Sequence, residues 1–259
     1  MFFTSVSRPI IASAACLAAF SAPAFSQALP SATAIPIVLT RTVDAGHART
    51  GDLVAAMTLQ AILLPGGRVL PAGTPLTGHI VADTPFRFDA TPYATQTPSA
   101  LSIHFDSISD GGAAIPVTLA LRAIAGPVAS HEAAIPQDLD ETDWPATRTL
   151  IGGDTTSPLE KTVVAPDGAT VGYNRSEGIF ARLLASVSTT DPNLTCDATN
   201  TEQSVALFSA DACGVYGLNS IALASNGANN DGTFILESRQ RNVQLNAGTT
   251  ALLETAKSF

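Results

Sequence analysis

Short apolar runs separated by glycine and proline form the main pattern of this chain from residue 35 onward. Their length is typical of strands, and turn sequences such as Pro65-Gly66-Gly67 and Asp110-Gly111-Gly112 lie between them. Strands are predicted at residues 35–40, 53–59, 76–81, 101–105, 115–124, 204–208, 220–224, 233–237, 242–245 and 250–254. No long helical period separates these runs. The pattern therefore predicts a mainly β fold, an antiparallel barrel or sandwich.

The middle of the chain, residues 126–201, breaks this regularity and is rich in Pro, Asp, Thr and Gly. At most one or two short helices are expected, one of them at 176–184, where Ser176 can serve as N-cap and apolar residues recur near helical spacing. Strand patterns then return, with a tight hairpin predicted at 226–232 from its Asn-Gly and Asp-Gly pairs. We therefore predict a single β-rich domain over residues 27–259 with a loop-rich insertion at about 126–201.

The amino terminus has the pattern of an export signal. Arg8 precedes an uncharged apolar stretch over residues 10–20, and small residues follow at Ala22, Ala24 and Ser26. The stretch is shorter than the roughly 20 residues that a membrane-spanning helix needs. Residues 1–26 are therefore predicted to be a cleaved signal peptide. The mature protein is expected in the periplasm, in the outer envelope or outside the cell, without a transmembrane helix.

Composition and charge exclude two classes of protein. The chain carries 13 Lys and Arg against 22 Asp and Glu, a net charge of −9, and loss of the signal removes Arg8 and makes the mature part more negative. Nucleic-acid binding requires clustered basic side chains that displace counterions, so it is not expected. With 46% apolar and 14% charged residues, the chain also does not have the composition of a disordered protein.

Two cysteines follow the predicted signal, Cys196 and Cys213. An even pair in an exported chain indicates a disulfide, which for a loop of this length stabilises the fold by about 3 kcal/mol. The alternatives are a reactive thiol or a metal site. Two cysteines without a nearby histidine do not complete a tetrahedral zinc site, so the disulfide is preferred.

Known catalytic motifs are missing from the sequence. There is no Gly-x-Ser-x-Gly elbow, and the turns at Gly66-Gly67 and Gly152-Gly153 lack the Lys-Ser/Thr of a phosphate-binding loop. The histidines His47, His79, His104 and His131 are isolated along the chain, without the spacing of a metal-binding motif. No catalytic residue and no cofactor are predicted.

An acidic run holds the main metal candidates that the sequence suggests. Asp138, Asp140 and Asp143 place carboxylates at nearly alternate positions, as ligands of Ca²⁺ often are, but Trp144 stands where an EF-hand would need its glycine turn. A solvated acidic loop is the preferred interpretation. The turn near Asn230 is a second candidate for ligand binding.

Residues 44–78 contain a Gly-Asp that opens an apolar run, followed by a Pro-Ala-Gly-Thr turn and a further glycine. The residues are Gly51-Asp52-Leu53-Val54-Ala55 and Val69-Leu70-Pro71-Ala72-Gly73-Thr74-Pro75-Leu76-Thr77-Gly78. This segment resembles a module in the β-barrel domain of TrbI-like conjugation and type IV secretion proteins, which implies a barrel fold in which Gly78 allows close strand approach. The sequence contains neither that family's Pro-rich spacer nor its long apolar antenna helices, so pore formation is not implied. Residues 207–218 are similar to a segment of exported bacterial proteins with the same module.

Export, the β pattern and the lack of a convergent polar motif predict a non-catalytic envelope or secreted domain that acts structurally or binds a macromolecule. The expected partner is an envelope protein or a polysaccharide. Two alternatives stay open. One is an exported hydrolase whose residues, with His104, Asp106 and Asp140 as candidates, meet only in three dimensions; the other is a Ca²⁺-dependent binding module.

Overall fold

The computed structural model describes residues 29–64, 67–91, 93–135, 147–157, 159–228 and 231–256. In its first half the strands are β1 (Ala34–Leu39), β2 (Val43–Asp44), β3 (Leu53–Thr58), β4 (Ile62–Leu63), β5 (Val69–Leu70), β6 (Pro75–Thr84), β7 (Arg87–Asp89), β8 (Thr95–Thr97), β9 (Ser99–Asp110), β10 (Ala113–Pro116) and β11 (Leu119–Ala125). After helix α1 (Pro127–Ala134) come β12 (Arg148–Thr149), β13 (Thr155–Thr156), β14 (Thr162–Val164), β15 (Thr170–Arg175), β16 (Gly178–Arg182), β17 (Ser186–Val187), β18 (Thr195–Cys196), β19 (Glu202–Ser204), β20 (Gly214–Tyr216), β21 (Ile221–Ser225), β22 (Phe234–Ser238), β23 (Gln244–Leu245) and β24 (Thr250–Thr255).

A nearly closed, barrel-like sheet dominates the structure, which confirms the prediction of a mainly β fold. Its strand order is β20-β11-β24-β1-β3-β6-β9-β22-β21, and β10 pairs with β9 beside this path. All neighbours are antiparallel except β11 and β20, which are parallel. The end strands β20 and β21 lie side by side without a ladder. A hydrogen bond from the Leu121 N–H of β11, the strand next to β20, to the carbonyl of Asn226, which follows β21, links the two sides of the gap at 2.8 Å.

Three adjacent barrel strands, β11, β24 and β1, are buried on both faces. Their large side chains, such as Ile35 and Leu121, enter the main core inside the barrel. Their outward residues include Ala34, Ala123 and Ala125, which belong to a second apolar cluster. Because alanine is short, a second layer packs closely on this side. Continuous apolar runs are what strands covered on both faces require.

That second layer is an antiparallel six-stranded sheet in the order β12-β13-β14-β15-β16-β19. Val163, Ile179 and Phe208 pack it against the outward alanines of the barrel. The buried side chain of Gln60 links the two layers, because its Oε1 accepts the Ile179 N–H at 3.0 Å and its Nε2 donates to the Ile179 carbonyl at 2.8 Å. The amide therefore continues the hydrogen bonding of a strand across the interface.

The helix predicted at 176–184 is wrong, because this segment contains the turn between β15 and β16. Ile179, Phe180 and Ala181 are all buried, and a fully buried strand lacks the alternation that would distinguish it from a buried helix. Gly178 has a φ of +134°, and a Cβ there would lie 2.4 Å from Gln60 Oε1. Contact with the barrel therefore decides the local conformation.

Three further differences separate the predicted elements from the observed ones. Helix α1 lies in the segment expected to be irregular, and it begins with Pro127, whose fixed φ suits the first helical turn. The run predicted as one strand at 115–124 divides into β10 and β11. Of the strand predicted at 204–208, only Ser204 belongs to β19. In the part of the chain that the structure describes, no helix has the length and apolar character needed to cross a membrane.

Replacing Gly78 with alanine tests the close approach of β6 and β9. A Cβ at this position would lie 2.3 Å from the His104 carbonyl oxygen and 2.9 Å from the Phe105 Cα, so the strands would have to separate. We expect the free energy of unfolding, measured by urea denaturation, to fall by about 1–3 kcal/mol. Gly111→Asn is the control, because asparagine tolerates a positive φ and a Cβ at this position would meet no neighbouring atom within 4 Å. An equal loss in the control would contradict the expectation.

Candidate functional site

Residues 188–197, which we call the strap, cover the seam between β20 and β21. The strap comprises the turn that joins β17 to β18 and continues through β18 to Asp197. Thr189 donates its N–H to the Cys213 carbonyl and its hydroxyl to the Val215 carbonyl, both at 3.1 Å. The strap therefore occupies the outer edge of β20 that a closed barrel would pair with β21.

Three features hold the strap against the barrel. A disulfide joins Cys196 to Cys213, as the sequence predicts. Gly214 has a φ of +99°, and a Cβ there would lie 2.4 Å from the Ser188 hydroxyl, so only glycine allows this approach. The side chain of Leu194 packs against the core inside the barrel. The strap is therefore part of the barrel wall.

Arg122 lies beneath the strap and is the largest side chain that is fully buried among the described residues. It is the extra residue of a β-bulge in β11, because the register with β24 shifts between Leu121 and Ala123. A bulge redirects a side chain that regular alternation would place elsewhere. Here it directs a guanidinium out of the barrel, into the space between the sheet, the second layer and the strap.

All five N–H donors of the Arg122 guanidinium have protein partners. The acceptors and distances are Ala212 O (3.0 Å), Asp197 O (2.6 Å), Glu254 Oε1 (3.0 Å), Leu184 O (2.5 Å) and Ala210 O (3.3 Å). A guanidinium has five donors and no acceptor, so none is left for a ligand. Arg122 is therefore a structural cation that binds the carbonyls of three segments together.

Two cavities flank the strap. A cavity of about 250 Å³ is lined by strap residues 193–197, by β11 and by Asn226, Ala228 and Glu254. A more open groove of about 540 Å³ is lined by Thr190 and Asp191, by Ser220–Ala224, and by Glu237, Arg239 and Gln240. Both linings contain carboxylates and neither contains a histidine. A cavity lined by a histidine, a carboxylate and a hydroxyl would favour the hydrolase alternative, and neither of these two linings has that combination.

His104 and Asp106, the hydrolase candidates from the sequence, lie together with His79 on the outer surface of β6 and β9. His79 Nδ1 is 3.0 Å from Asp106 Oδ2, and His104 Nε2 is 3.8 Å from Asp106 Oδ1. Asp106 is the extra residue of a bulge, since the register passes from Ser107 to Phe105. Sequence analysis treated the histidines as isolated. The missed signal was that His79 and His104 fall in neighbouring strands with side chains on the same face.

Asp154 is a buried carboxylate that holds a turn of the second layer. Its Oδ2 accepts the Ala210 N–H at 2.8 Å, and its own N–H donates to the Ser209 hydroxyl at 2.8 Å. Burial raises the pKa of Asp154 above the ordinary value for aspartate. These bonds fix the segment that carries the Ala210 and Ala212 carbonyls, and thereby the acceptors of Arg122.

The remaining candidates are dispersed or lie outside the described residues. His47 contacts Asp44 on an exposed turn, with Nδ1 and Oδ2 3.1 Å apart, and His131 lies in the last turn of α1. Asp138, Asp140 and Asp143, with the turn residue Asn230, lie outside the residues that the structure describes. Within the described ranges, no three or more His, Cys, Asp or Glu side chains are already arranged to hold a metal ion.

Comparisons with protein-family models, with curated proteins and with solved structures found no match for this chain.

Replacing Arg122 with methionine tests its role in joining the layers. The substitution removes the cation that Glu254 and four carbonyls contact, so we expect the free energy of unfolding to fall by about 3–5 kcal/mol in urea denaturation. Arg68→Met is the matched control, because Arg68 pairs with Asp110 at 2.6 Å on the surface. Its loss is expected to cost at most about 1 kcal/mol. Similar effects of the two substitutions would contradict the assigned role of Arg122.

Removing the disulfide tests how firmly the strap is held. In a protein of residues 27–259, Cys196→Ser with Cys213→Ser is expected to lower the free energy of unfolding by about 3 kcal/mol. Reductant should lower the thermal midpoint of the wild type and leave that of the double variant unchanged. A reductant effect on the double variant would contradict this interpretation, because no other cysteine is present in residues 27–259.

Proposed function

We propose that this chain is an exported, non-catalytic binding domain that takes up an extended segment of an envelope protein along the outer edge of β21. One observation carries the proposal: β21 ends the barrel sheet, and residues of β21 line the groove of about 540 Å³. Binding by addition of a strand to an open sheet edge is a common mode of peptide recognition.

The groove runs along β21, and the consecutive residues Ile221–Ala224 form part of its lining. Ala224 is the extra residue of a β-bulge, because the register with β22 passes from Leu223 to Ser225. The side chains of Ile221 and Leu223 are buried in the core, so these two residues contact the groove through their backbone. Among the described residues, no backbone hydrogen bond joins residues 222–225 to a strand other than β22. Their outward N–H and C=O groups are available to an added strand.

The charge of the groove favours a basic segment. Asp191 on one wall and Glu237 on the other outnumber Arg239, and the whole chain has a net charge of −9. The small side chains of Ala222 and Ala224 leave room for the side chains of an added strand. Complementary charge speeds association. It also distinguishes between extended peptides, which all offer the same backbone hydrogen bonds.

A role without catalysis is supported by where the polar groups lie. The donors of Arg122 are all bonded within the protein, and the linings of both cavities lack a histidine. His79, His104 and Asp106 stand on the outer strand surface. A buried disulfide is compatible with export, and the periplasm or the outer envelope would supply the partner.

Fluorescence anisotropy with three labelled peptides tests the proposal on the mature protein, residues 27–259. A short peptide of alternating lysine and valine should bind. Its glutamate–valine counterpart should bind at least about tenfold more weakly because its charge is reversed. A lysine–proline peptide should not bind, because proline has no N–H for the ladder. Ala224→Arg, which fills the groove with a basic side chain, should abolish binding of the lysine–valine peptide.

Ala114→Arg is the matched control, since Ala114 is also an exposed alanine on a strand, β10, that pairs with one neighbour only. It should bind the lysine–valine peptide as the wild type does. Equal binding of the lysine–proline peptide, or binding that survives Ala224→Arg, would contradict edge addition. If soluble peptidoglycan fragments bind and none of the three peptides does, the partner is a polysaccharide and not a protein.

A further inference from the structure

His79 and His104 are directly opposed residues of two antiparallel strands. They are register partners in β6 and β9, and their ring centroids are 5.6 Å apart with planes inclined by 53°. Cross-strand partners on one face have Cβ atoms about 4.5–5.5 Å apart, so the two imidazoles share one patch of surface. Both residues lie within strands, so no loop is needed to position the two rings.

The distance between the rings suits a shared metal ion. Two imidazole nitrogens about 2.0–2.1 Å from a tetrahedral Zn²⁺ place their ring centroids roughly 5 Å apart, close to the spacing observed here. His104 can bind a metal ion only through Nε2. Its Nδ1 is buried and has no hydrogen-bond partner, whereas its Nε2 faces Asp106. Both rings thus present a nitrogen to the same carboxylate, His79 through Nδ1.

In the present arrangement the Asp106 carboxylate occupies the position between the two rings. Its oxygens lie 3.0 Å from His79 Nδ1 and 3.8 Å from His104 Nε2, whereas ligand atoms on a tetrahedral Zn²⁺ are roughly 3.3–3.5 Å apart. The Asp106 side chain is 47% exposed and therefore has room to turn. Within the described residues these side chains do not form a group arranged for a metal ion, so the carboxylate would have to turn before an ion could bind.

We propose that His79 and His104 bind a divalent transition-metal ion of the Zn²⁺ or Cu²⁺ class, with Asp106 turning to supply a carboxylate oxygen and water completing the shell. Two imidazoles and one carboxylate favour these ions, whereas Ca²⁺ and Mg²⁺ prefer sites made of oxygen alone. The site is separate from the groove at β21 and does not depend on peptide binding.

The charge around the pair supports a cation. The Asp106 carboxylate lies beside both imidazoles, and the whole chain has a net charge of −9. These negative charges would compensate part of the charge of a bound divalent cation.

Calorimetric titration of the mature protein with Zn²⁺ at neutral pH tests the proposal. The wild type should bind one tight Zn²⁺ per chain. Asp106→Asn should weaken binding by about 10- to 100-fold, and His79→Gln or His104→Gln should remove the tight site. Circular dichroism melting checks that each variant is folded. If His104→Gln does not fold, His79→Gln alone tests the site. His79 is the more exposed ring, so its substitution is expected to disturb the fold less.

His47→Gln is the matched control, because His47 makes the same contact with a carboxylate, 3.1 Å from Asp44 Oδ2, and has no histidine as a strand partner. It should leave the tight Zn²⁺ binding unchanged, and an excess of Ca²⁺ should not compete. Absence of Zn²⁺ binding in the wild type would overturn the proposal. So would tight binding that survives His79→Gln or disappears in His47→Gln.

Discussion

The buried guanidinium of Arg122 is the interaction on which the rest of the structure depends. It joins a barrel strand to the strap through the Asp197 carbonyl, and to the segments around Leu184 and Ala210 through further carbonyls. A buried cation is tolerated only when its donors are bonded and its charge is compensated, here by Glu254. Arg122 therefore fixes where the second layer and the strap meet the barrel.

The strap and the disulfide follow from this arrangement. No ladder joins β20 to β21, and the strap bonds to the free edge of β20 instead, through Thr189. The Cys196–Cys213 bond then holds the strap at the seam. The edge of β21 remains beside an open groove, so the same feature that leaves the barrel incomplete provides the proposed binding surface.

The apolar pattern of the sequence predicted much of this framework. The runs at 35–40 and 250–254 became β1 and β24, the cysteine pair became a disulfide, and Gly78 lies where two strands approach closely. The pattern failed where both faces of an element are buried. In 176–184 the apolar residues suited helix and strand equally, and the contact of Gly178 with Gln60 decided between them.

By itself the sequence determined the fold class, because period-two patterning and turn residues are local properties of the chain. It did not determine which polar residues meet. Arg122 and Asp106 both owe their positions to β-bulges, and His79 and His104 are neighbours through the register of β6 with β9. Bulges and register arise from the packing of distant strands, and a shift by one residue would move each side chain to the other face. Only the tertiary structure could therefore assemble the buried cation, the strap groove and the histidine pair.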